Sequence, residues 1–178
     1  MNWTTLEFDQ LSARELYLIL RARSAVFVVE ASRVHLDADG YDETALHVFA
    51  YEDMTRPMPI VAYARIRPGE AEYQEVVIDK ILTSPSRRGD GTADALVAHV
   101  MHVVDARWPG HRVKAFAPAG QRVLYERFGF RREQETGGAA CGMRSVAFVR
   151  GGPCGVAEPA EWRRARGQRY AAGPLGMR

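Results

Sequence analysis

The sequence predicts one domain of the α/β class in its α+β form: a mixed, mostly antiparallel central sheet with one parallel strand pair, flanked by helices. Three observations lead there. Strand-like runs follow one another between residues 46 and 83 with short links, which implies antiparallel pairing. A strand, a long amphipathic helix, a second strand and a shorter helix then succeed one another to residue 127, the order that builds a parallel pair. The chain has 178 residues, enough to bury a core without disulfides or metal and too few for a second independent domain.

Near the start, Ser12 followed by Glu15 has the S-x-x-E spacing of a capping box, and Leu16, Ile19, Leu20 and Phe27 continue an apolar face at helical spacing. A helix therefore begins near Ser12. Val34 to Glu43 carries Asp37, Asp39, Gly40 and Asp42 with little apolar content and reads as a loop. Leu46, Val48 and Ala50 alternate with His47 and Phe49, and Ile60–Arg67 and Val76–Thr83 are two further β-rich runs parted by Pro68 and Gly69. After Pro85 the period changes: Ala93, Leu96, Val97, Val100, Met101 and Val104 fall at i, i+3, i+4, i+7, i+8 and i+11, a helix that ends near Trp108, Pro109 and Gly110. Val113, Ala115 and Ala117 alternate as a short strand, and Gln121–Arg127 makes the second helix, stopped by Gly129. Phe130–Gln134 and Met143–Val149 read as a closing hairpin about Gly137 and Gly138. Gly151, Gly152, Pro153 and Gly155 then break the pattern, dividing a domain over residues 1–150 from a tail over 151–178 with room for one helix from Glu158 to Tyr170.

Composition excludes several classes. With 47% hydrophobic and 26% charged residues the chain is ordinary and globular. No apolar run reaches the length of a membrane span and the N-terminus is polar, so a cytoplasmic protein without membrane contact is expected. Cys141 and Cys154 are too few for a disulfide-stapled domain and read as free thiols. The net charge of +2 is uneven: the tail holds five Arg and two Glu, while residues 1–150 hold 19 basic and 20 acidic residues. Arg163, Arg164, Arg166 and Arg169 around Trp162 and Tyr170 invite a nucleic-acid reading, but the body offers no recognition motif, so none is expected. A homodimer through this tail is possible. His99 and His102, three apart on the long helix, have no carboxylate or cysteine at metal spacing and read as solvated, so no metal site is expected.

The chemistry concentrates in Thr83-Ser84-Pro85-Ser86-Arg87-Arg88-Gly89-Asp90-Gly91-Thr92-Ala93, between a strand and the long helix. Glycines let a backbone approach a ligand closely, and the first amides of a helix lack intrahelical acceptors, so this stretch is an anion cradle suited to a pyrophosphate. No Lys-Ser or Lys-Thr follows, as G-x-x-x-x-G-K-[ST] requires, and the spacing is not G-x-G-x-x-G. Arg88, Gly91 and Ala93 instead fit R-x-x-G-x-[GA]. In this the sequence resembles the GNAT superfamily of acyl-CoA dependent N-acyltransferases, whose coenzyme A loop has that spacing in that place. Leu124-Tyr125-Glu126-Arg127-Phe128-Gly129-Phe130 looks like the later L-Y-E-x-x-G-F block of the same family. Arg21-Ala22-Arg23, Val26-Phe27-Val28-Val29-Glu30, the Asp37-Ala38-Asp39-Gly40-Tyr41-Asp42 loop, His47 and Ala62-Tyr63-Ala64-Arg65-Ile66 look further like its ElaA-like branch. The resemblance spans about residues 2–149 and leaves out the tail.

The resemblance implies a sheet whose parallel pair is splayed, and direct transfer of an acyl group from acetyl-CoA to a primary amine of a small molecule or peptide. Arg87, Arg88, Gly89, Asp90, Gly91, Thr92 and Ala93 would then bind pyrophosphate, and Leu82 and Thr83 the pantetheine arm through their backbone. An alkylamine of pKa about 10.4 costs roughly 4.6 kcal/mol to present neutral at pH 7, part of which a positioned carboxylate supplies. Asp79 matches the family's base or water-positioning acid, and Glu75, four residues earlier, shares its side of the strand. An ion pair with a neighbouring Arg or Lys80 is the other reading of Asp79. Tyr125 matches the tyrosine near the coenzyme sulfur, a general acid, or else is a packed aromatic. Glu30, Asp39, His47, Tyr63 and Arg65 fall on the acceptor side. His47 reads equally as a structural histidine, and the cluster of Asp37, Asp39, Asp42 and Glu43 either attracts a cationic amine or is a solvated loop.

Departures from the pattern gather on that acceptor side. Ala31 to Val34 stand where the ElaA-like branch has Q-x-C-P, Pro118 stands where Gln or Asn is frequent, and Ala140 replaces the His of E-D-G-I-P-H-x-x-M. Asp90 places a carboxylate in the anion cradle, which weakens coenzyme affinity. An altered acceptor follows, with two alternatives: a degenerate domain that binds acyl-CoA without transfer, or a fold turned to another reaction in specialised metabolism.

Overall fold

Ser12 starts the first helix as its spacing implies: its Oγ accepts the Glu15 amide at 3.2 Å, while its own amide donates to Glu15 Oε2 at 2.8 Å. In the computed structural model, which describes residues 1–52, 59–69, 75–133 and 145–150, this helix α1 (Ala13–Arg23) buries Leu18, Ile19, Ala22 and Arg23 and runs on into a wider π-helical turn, Ser24–Glu30. The remaining elements are β1 (Trp3–Glu7), β2 (Leu46–Tyr51), β3 (Ile60–Arg67), β4 (Glu75–Thr83), α2 (Thr92–Arg107), β5 (Arg112–Pro118), α3 (Arg122–Arg127), β6 (Arg131–Arg132) and β7 (Ser145–Arg150). The strands form one sheet in the order β1-β2-β3-β4-β5-β7-β6, antiparallel throughout except for the parallel β4–β5 pair joined by α2. This is the mixed architecture expected from the element order.

Alternation along the strands distributes the core between two layers. Leu46, Val48, Ala62, Ala64, Ile66, Val76 and Ile78 join Leu96, Val97, Val100, Met101 and Val104 of α2. Phe49, Ile60, Tyr63 and Leu82 face Leu18, Ile19 and Ala22 of α1. Covered on both sides, β2 and β3 are buried almost throughout, which is why they read as near-continuous apolar runs.

Two features depart from the sequence reading. Strand β1 was not anticipated, because Trp-Thr-Thr-Leu-Glu lacks alternation; as an edge strand it is half-buried at all five positions. His99 is not simply solvated: its ring stacks on Trp3 with centroids 5.4 Å apart, and Thr5 Oγ1 lies 3.4 Å away. The turn at Gly137 and Gly138, Ala140, both cysteines and the tail over 151–178 lie outside the described residues. Among those described, no helix is long and apolar enough to cross a membrane.

The parallel pair is what positions the site. β4 and β5 are in register only from Glu75–Ile78 against Arg112–Ala115. Beyond that, β4 stays with β3 and β5 with β7. The divergence coincides with a bulge: Lys80 has φ +51°, and the register against β3 shifts by one residue between Arg65 opposite Asp79 and Tyr63 opposite Leu82. An extra residue on one strand bends it and raises its twist, which carries the end of β4 away from β5.

Candidate functional site

The splay opens a cavity of about 570 Å³. One wall is the π-helical turn and the loop after it, from Val26 to His35; a second is β4 from Asp79 to Thr83 with Arg88; a third is Phe116, Gln121 and Tyr125. Among the described residues the edge of β4 facing β5 has no strand partner beyond Ile78; Ser84 donates to the Val61 carbonyl on the β3 side, so by alternation the backbone polar groups of Thr83, and not those of Leu82, face the free edge, as an added strand would use them.

The glycine loop sits at the top of β4. Gly89 and Gly91 have φ of +81° and +89°, the left-handed region that a side chain disfavours, and Gly91 is the residue from which α2 starts. The loop thus leads from Arg88, which lines the cavity, to the first amides of a 16-residue helix, Thr92 and Ala93. The chain supplies its own anion there. Asp90 Oδ1 accepts the Thr92 amide at 2.9 Å, and hydrogen bonds from the Thr92 side chain and amide hold Asp90 below the usual carboxylate range. Arg87 lies 3.3 Å from Asp90 and also pairs with Glu52. Arg88 donates two bonds to Glu30, at 2.6 and 2.8 Å, so the acceptor-side candidate Glu30 and the cradle arginine meet across the cavity mouth.

Tyr125 lines the cavity with Phe116 and Gln121. Its ring is fully buried, stacked on Phe148 at 5.2 Å and met edge-on by Phe130 at 5.6 Å. The buried Tyr125 hydroxyl has no hydrogen-bond partner among the described residues, and burial pushes its pKa up. A fully buried, unpaired phenol is costly unless something in the cavity pairs with it.

His47, Arg65 and Asp79 stand in one row across β2, β3 and β4, opposite one another in the ladders. Arg65, 1% exposed, donates from Nε and Nη2 to Asp79 at 2.7 and 3.0 Å, from Nη1 and Nη2 to Asp39 at 2.6 and 2.8 Å, and from Nη1 to Asp42 at 2.9 Å. Burial disfavours its charge, but the bonds to Asp39 and Asp79 more than offset this and raise its pKa. Arg23, from the apolar stripe of α1, reaches Asp37 at 2.8 Å and Asp42 at 2.5 Å. Lys80 reaches Asp37 at 2.8 Å, and Arg67 lies 2.9 Å from Asp79. Four cations thus meet four carboxylates.

This changes the reading of several candidates. Asp79 lines the cavity, but in the ion pair that was its alternative reading. Asp37 and Asp42 are 6% and 7% exposed, and with Asp39 they are neutralised from within by Arg23, Arg65 and Lys80, which leaves Glu43 as the exposed member of the cluster outside these pairs; Asp39 is drawn well below the usual carboxylate range by Arg65 against the cost of its burial. His47 is structural. Its Nε2 lies 3.0 Å from the Asp42 carbonyl, which can only accept, so Nε2 carries the hydrogen and Nδ1 accepts the Tyr63 hydroxyl at 3.0 Å. Burial pushes His47 below its ordinary 6.5. His47, Tyr63, Arg65 and Asp39 therefore support the site from beneath and do not line it. Glu75 is away from it altogether, four residues back along β4 and 3.1 Å from Arg112, because sharing a strand face does not bring residues about 13 Å apart together.

Arg33, His35, Lys80, Phe116 and Gln121 line the cavity and were not singled out from sequence. Phe116 directly follows the last residue of β5 paired with β4, and Lys80 is the bulge residue, so both places depend on the splay. Among the described residues no group of His, Cys, Asp or Glu is placed to hold a metal ion.

Residues 44–132 match the family model described as an acetyltransferase (GNAT) domain. Protein ElaA of Escherichia coli K12 is 32% identical over 132 residues, covering 73% of this chain and 84% of that protein. The crystal structure of E. coli ElaA superposes with a TM-score of 0.73 at 30% identity, over 84% of this chain and 98% of that one. An acyl-CoA N-acyltransferase from Pseudomonas aeruginosa gives 0.72 at 27% identity, with 84% and 98% covered. With its splayed sheet, glycine loop and two matching blocks, the chain belongs to the GNAT acetyltransferase family, in its ElaA-like branch, and is a GNAT-type acyltransferase.

Proposed function

We propose that the chain transfers the acetyl group of acetyl-CoA directly to a primary amine of a small molecule or peptide in the β4–β5 cavity. What supports this is one cavity lined both by Arg88, four residues before helix α2 begins, and by Tyr125, whose buried hydroxyl has no hydrogen-bond partner among the described residues. Arg87, Arg88 and the amides from Gly89 to Ala93 hold the pyrophosphate, and the free edge of β4 at Thr83 guides the pantetheine arm toward Tyr125. The neutral amine attacks the thioester carbonyl, the carbon–sulfur bond breaks as the tetrahedral adduct collapses, and Tyr125 gives its proton to the departing thiolate. A carboxylate offers about four acceptor sites, of which Arg65 occupies two on Asp79, with Arg67 an ion pair beside it. The sites left over take up the amine proton through a water and not as a free base. Peptide and small-molecule amines share this chemistry.

Thermal unfolding with and without acetyl-CoA tests the reading. Ligand at a hundred times its dissociation constant stabilises by about 2.7 kcal/mol, which shifts the midpoint by roughly 5 to 11 °C for this size. Arg88→Glu removes the shift, and thiol release follows when amines are added. No shift with any acyl-CoA overturns the proposal. A second reading, binding without transfer, is favoured by Asp90 on the Thr92 amide and by the pairing of Asp79. It predicts acetyl-CoA that binds and survives incubation with every amine.

A further inference from the structure

The charges of the cavity indicate what sort of amine it accepts. The acidic and basic side chains of its lining, histidine aside, are those of Glu30, Asp79, Arg33, Lys80 and Arg88. Arg88 is spent on Glu30, Lys80 on Asp37, and Asp79 on Arg65. Arg33 is left: among the described residues its guanidinium has no ion pair and no hydrogen bond. Its backbone is nonetheless anchored, the Arg33 amide donating to the Val28 carbonyl at 3.0 Å and the Ser32 amide to that of Val29 at 3.1 Å. His35 lies on the same wall, 4.0 Å from Asp37. The rest of this wall, Val26, Phe27 and Ala31, is apolar.

Resting on the proposed transfer at this cavity, we infer that the acceptor carries a carboxylate beside its amine, with Arg33 as the residue that binds it. The inference reverses the sign expected of a GNAT site fronted by an acidic loop, because that loop is neutralised internally and the surplus charge is a cation. A guanidinium pairs with a carboxylate in a two-pronged geometry that no neutral group matches. Arg33 also stands at the Cys position of the Q-x-C-P that the ElaA-like pattern has here, so the feature belongs to this chain. The phosphates of the coenzyme are the other anions within reach. They are served, on the proposed reading, by the glycine loop, whose Arg88 exchanges Glu30 for a phosphate when the coenzyme enters.

The test compares common amino acids with their α-amides, and phenylalanine with phenethylamine, as acceptors in acetyl-CoA thiol release, with spermidine as a cationic control. Calorimetry of N-acetylphenylalanine and its amide, each in the presence of CoA, reads the same pocket without turnover. The free acids are preferred over their amides by about ten- to a hundredfold, the factor that a charge-assisted hydrogen bond supplies. Arg33→Gln collapses that ratio toward one and weakens N-acetylphenylalanine by the same factor, Arg33→Lys recovers part of it, and acetyl-CoA affinity stays unchanged. Acids and amides used equally, or spermidine preferred, overturns the inference while transfer stands. A rise in the acetyl-CoA dissociation constant with the acid-to-amide ratio intact also overturns it and gives Arg33 to the coenzyme phosphates. If no amine is acetylated, the transfer reading falls, and the inference stands or falls on whether N-acetylphenylalanine binds in an Arg33-dependent way.

Discussion

Replacing Arg65 with Met tests whether the buried charges hold the acceptor loop in place. Arg65 makes five hydrogen bonds to three carboxylates and is 1% exposed. Methionine fills much of its volume without charge, so the loss is chiefly that of leaving Asp39, Asp42 and Asp79 short of a partner. Removing one side of a buried pair costs about 3 to 5 kcal/mol. Here each carboxylate keeps a second cation, Asp42 with Arg23 at 2.5 Å, Asp79 with Arg67 at 2.9 Å and Asp39 with Lys80 at 3.6 Å. The lower end of that range therefore applies, about 3 kcal/mol, or a fall in the unfolding midpoint of about 6 to 12 °C. Calorimetry with matched urea titrations reads both quantities. Adding Asp39→Asn to the variant restores part of the loss, because Asp39 has the most distant remaining partner. A variant as stable as the parent would refute the reasoning, since the loop would then be held by its backbone alone.

Tyr125→Phe lowers turnover while leaving acetyl-CoA affinity unchanged, and it raises stability by up to about 1 kcal/mol because an unpaired buried hydroxyl is removed; steady-state kinetics and thermal unfolding read the two effects. Asp90→Asn keeps an acceptor for the Thr92 amide but removes the charge beside the cradle, so acetyl-CoA binds more tightly in calorimetry. Stability falls with acid in two windows. His47 is held neutral, below its ordinary 6.5, so its contribution is complete above that pH and is lost as pH drops beneath it, by at most about 1.4 kcal/mol per unit; His47→Gln flattens this window in pH-dependent unfolding. Asp39 and Asp42 titrate below their ordinary 3.8, so the network's contribution is complete above that value and is lost as pH falls through their lowered folded values.

What the sequence made legible was whatever depends on local pattern. The capping box at Ser12, the period of α2 and the glycine loop each rest on residues a few positions apart, and each stands where its spacing implied. What stayed hidden depends on residues distant in sequence. The acidic segment looked free because its partners, Arg23, Arg65 and Lys80, lie 14 to 43 positions away on other elements. One signal was present: Arg23 follows Ile19 and Ala22 at helical spacing, so a charge stood in the buried stripe of α1 and required a buried partner. Lys80 gave no such sign, since its left-handed backbone is imposed by register against β3 and not by its side chain. Glu75 shows the converse error, a correct strand face assigned to the wrong end of the strand.

The same network couples stability to acceptor choice. Residues 31–45 carry few apolar side chains, and what holds them against the sheet is Asp37 and Asp42 on Arg23, Asp39 and Asp42 on Arg65, and Asp37 on Lys80. Arg33 and His35 ride on that segment, whereas the cradle rides on the start of α2 and rests on a different packing cluster. Loosening the network should therefore reach one wall of the cavity and spare the other. Well below its unfolding midpoint, Arg65→Met is expected to raise the acceptor KM and narrow the acid-to-amide ratio, while the acetyl-CoA dissociation constant stays that of the parent. An equal loss of affinity for both substrates would show that the two walls are held as one body, and the loop would then lose its standing as a separate specificity element.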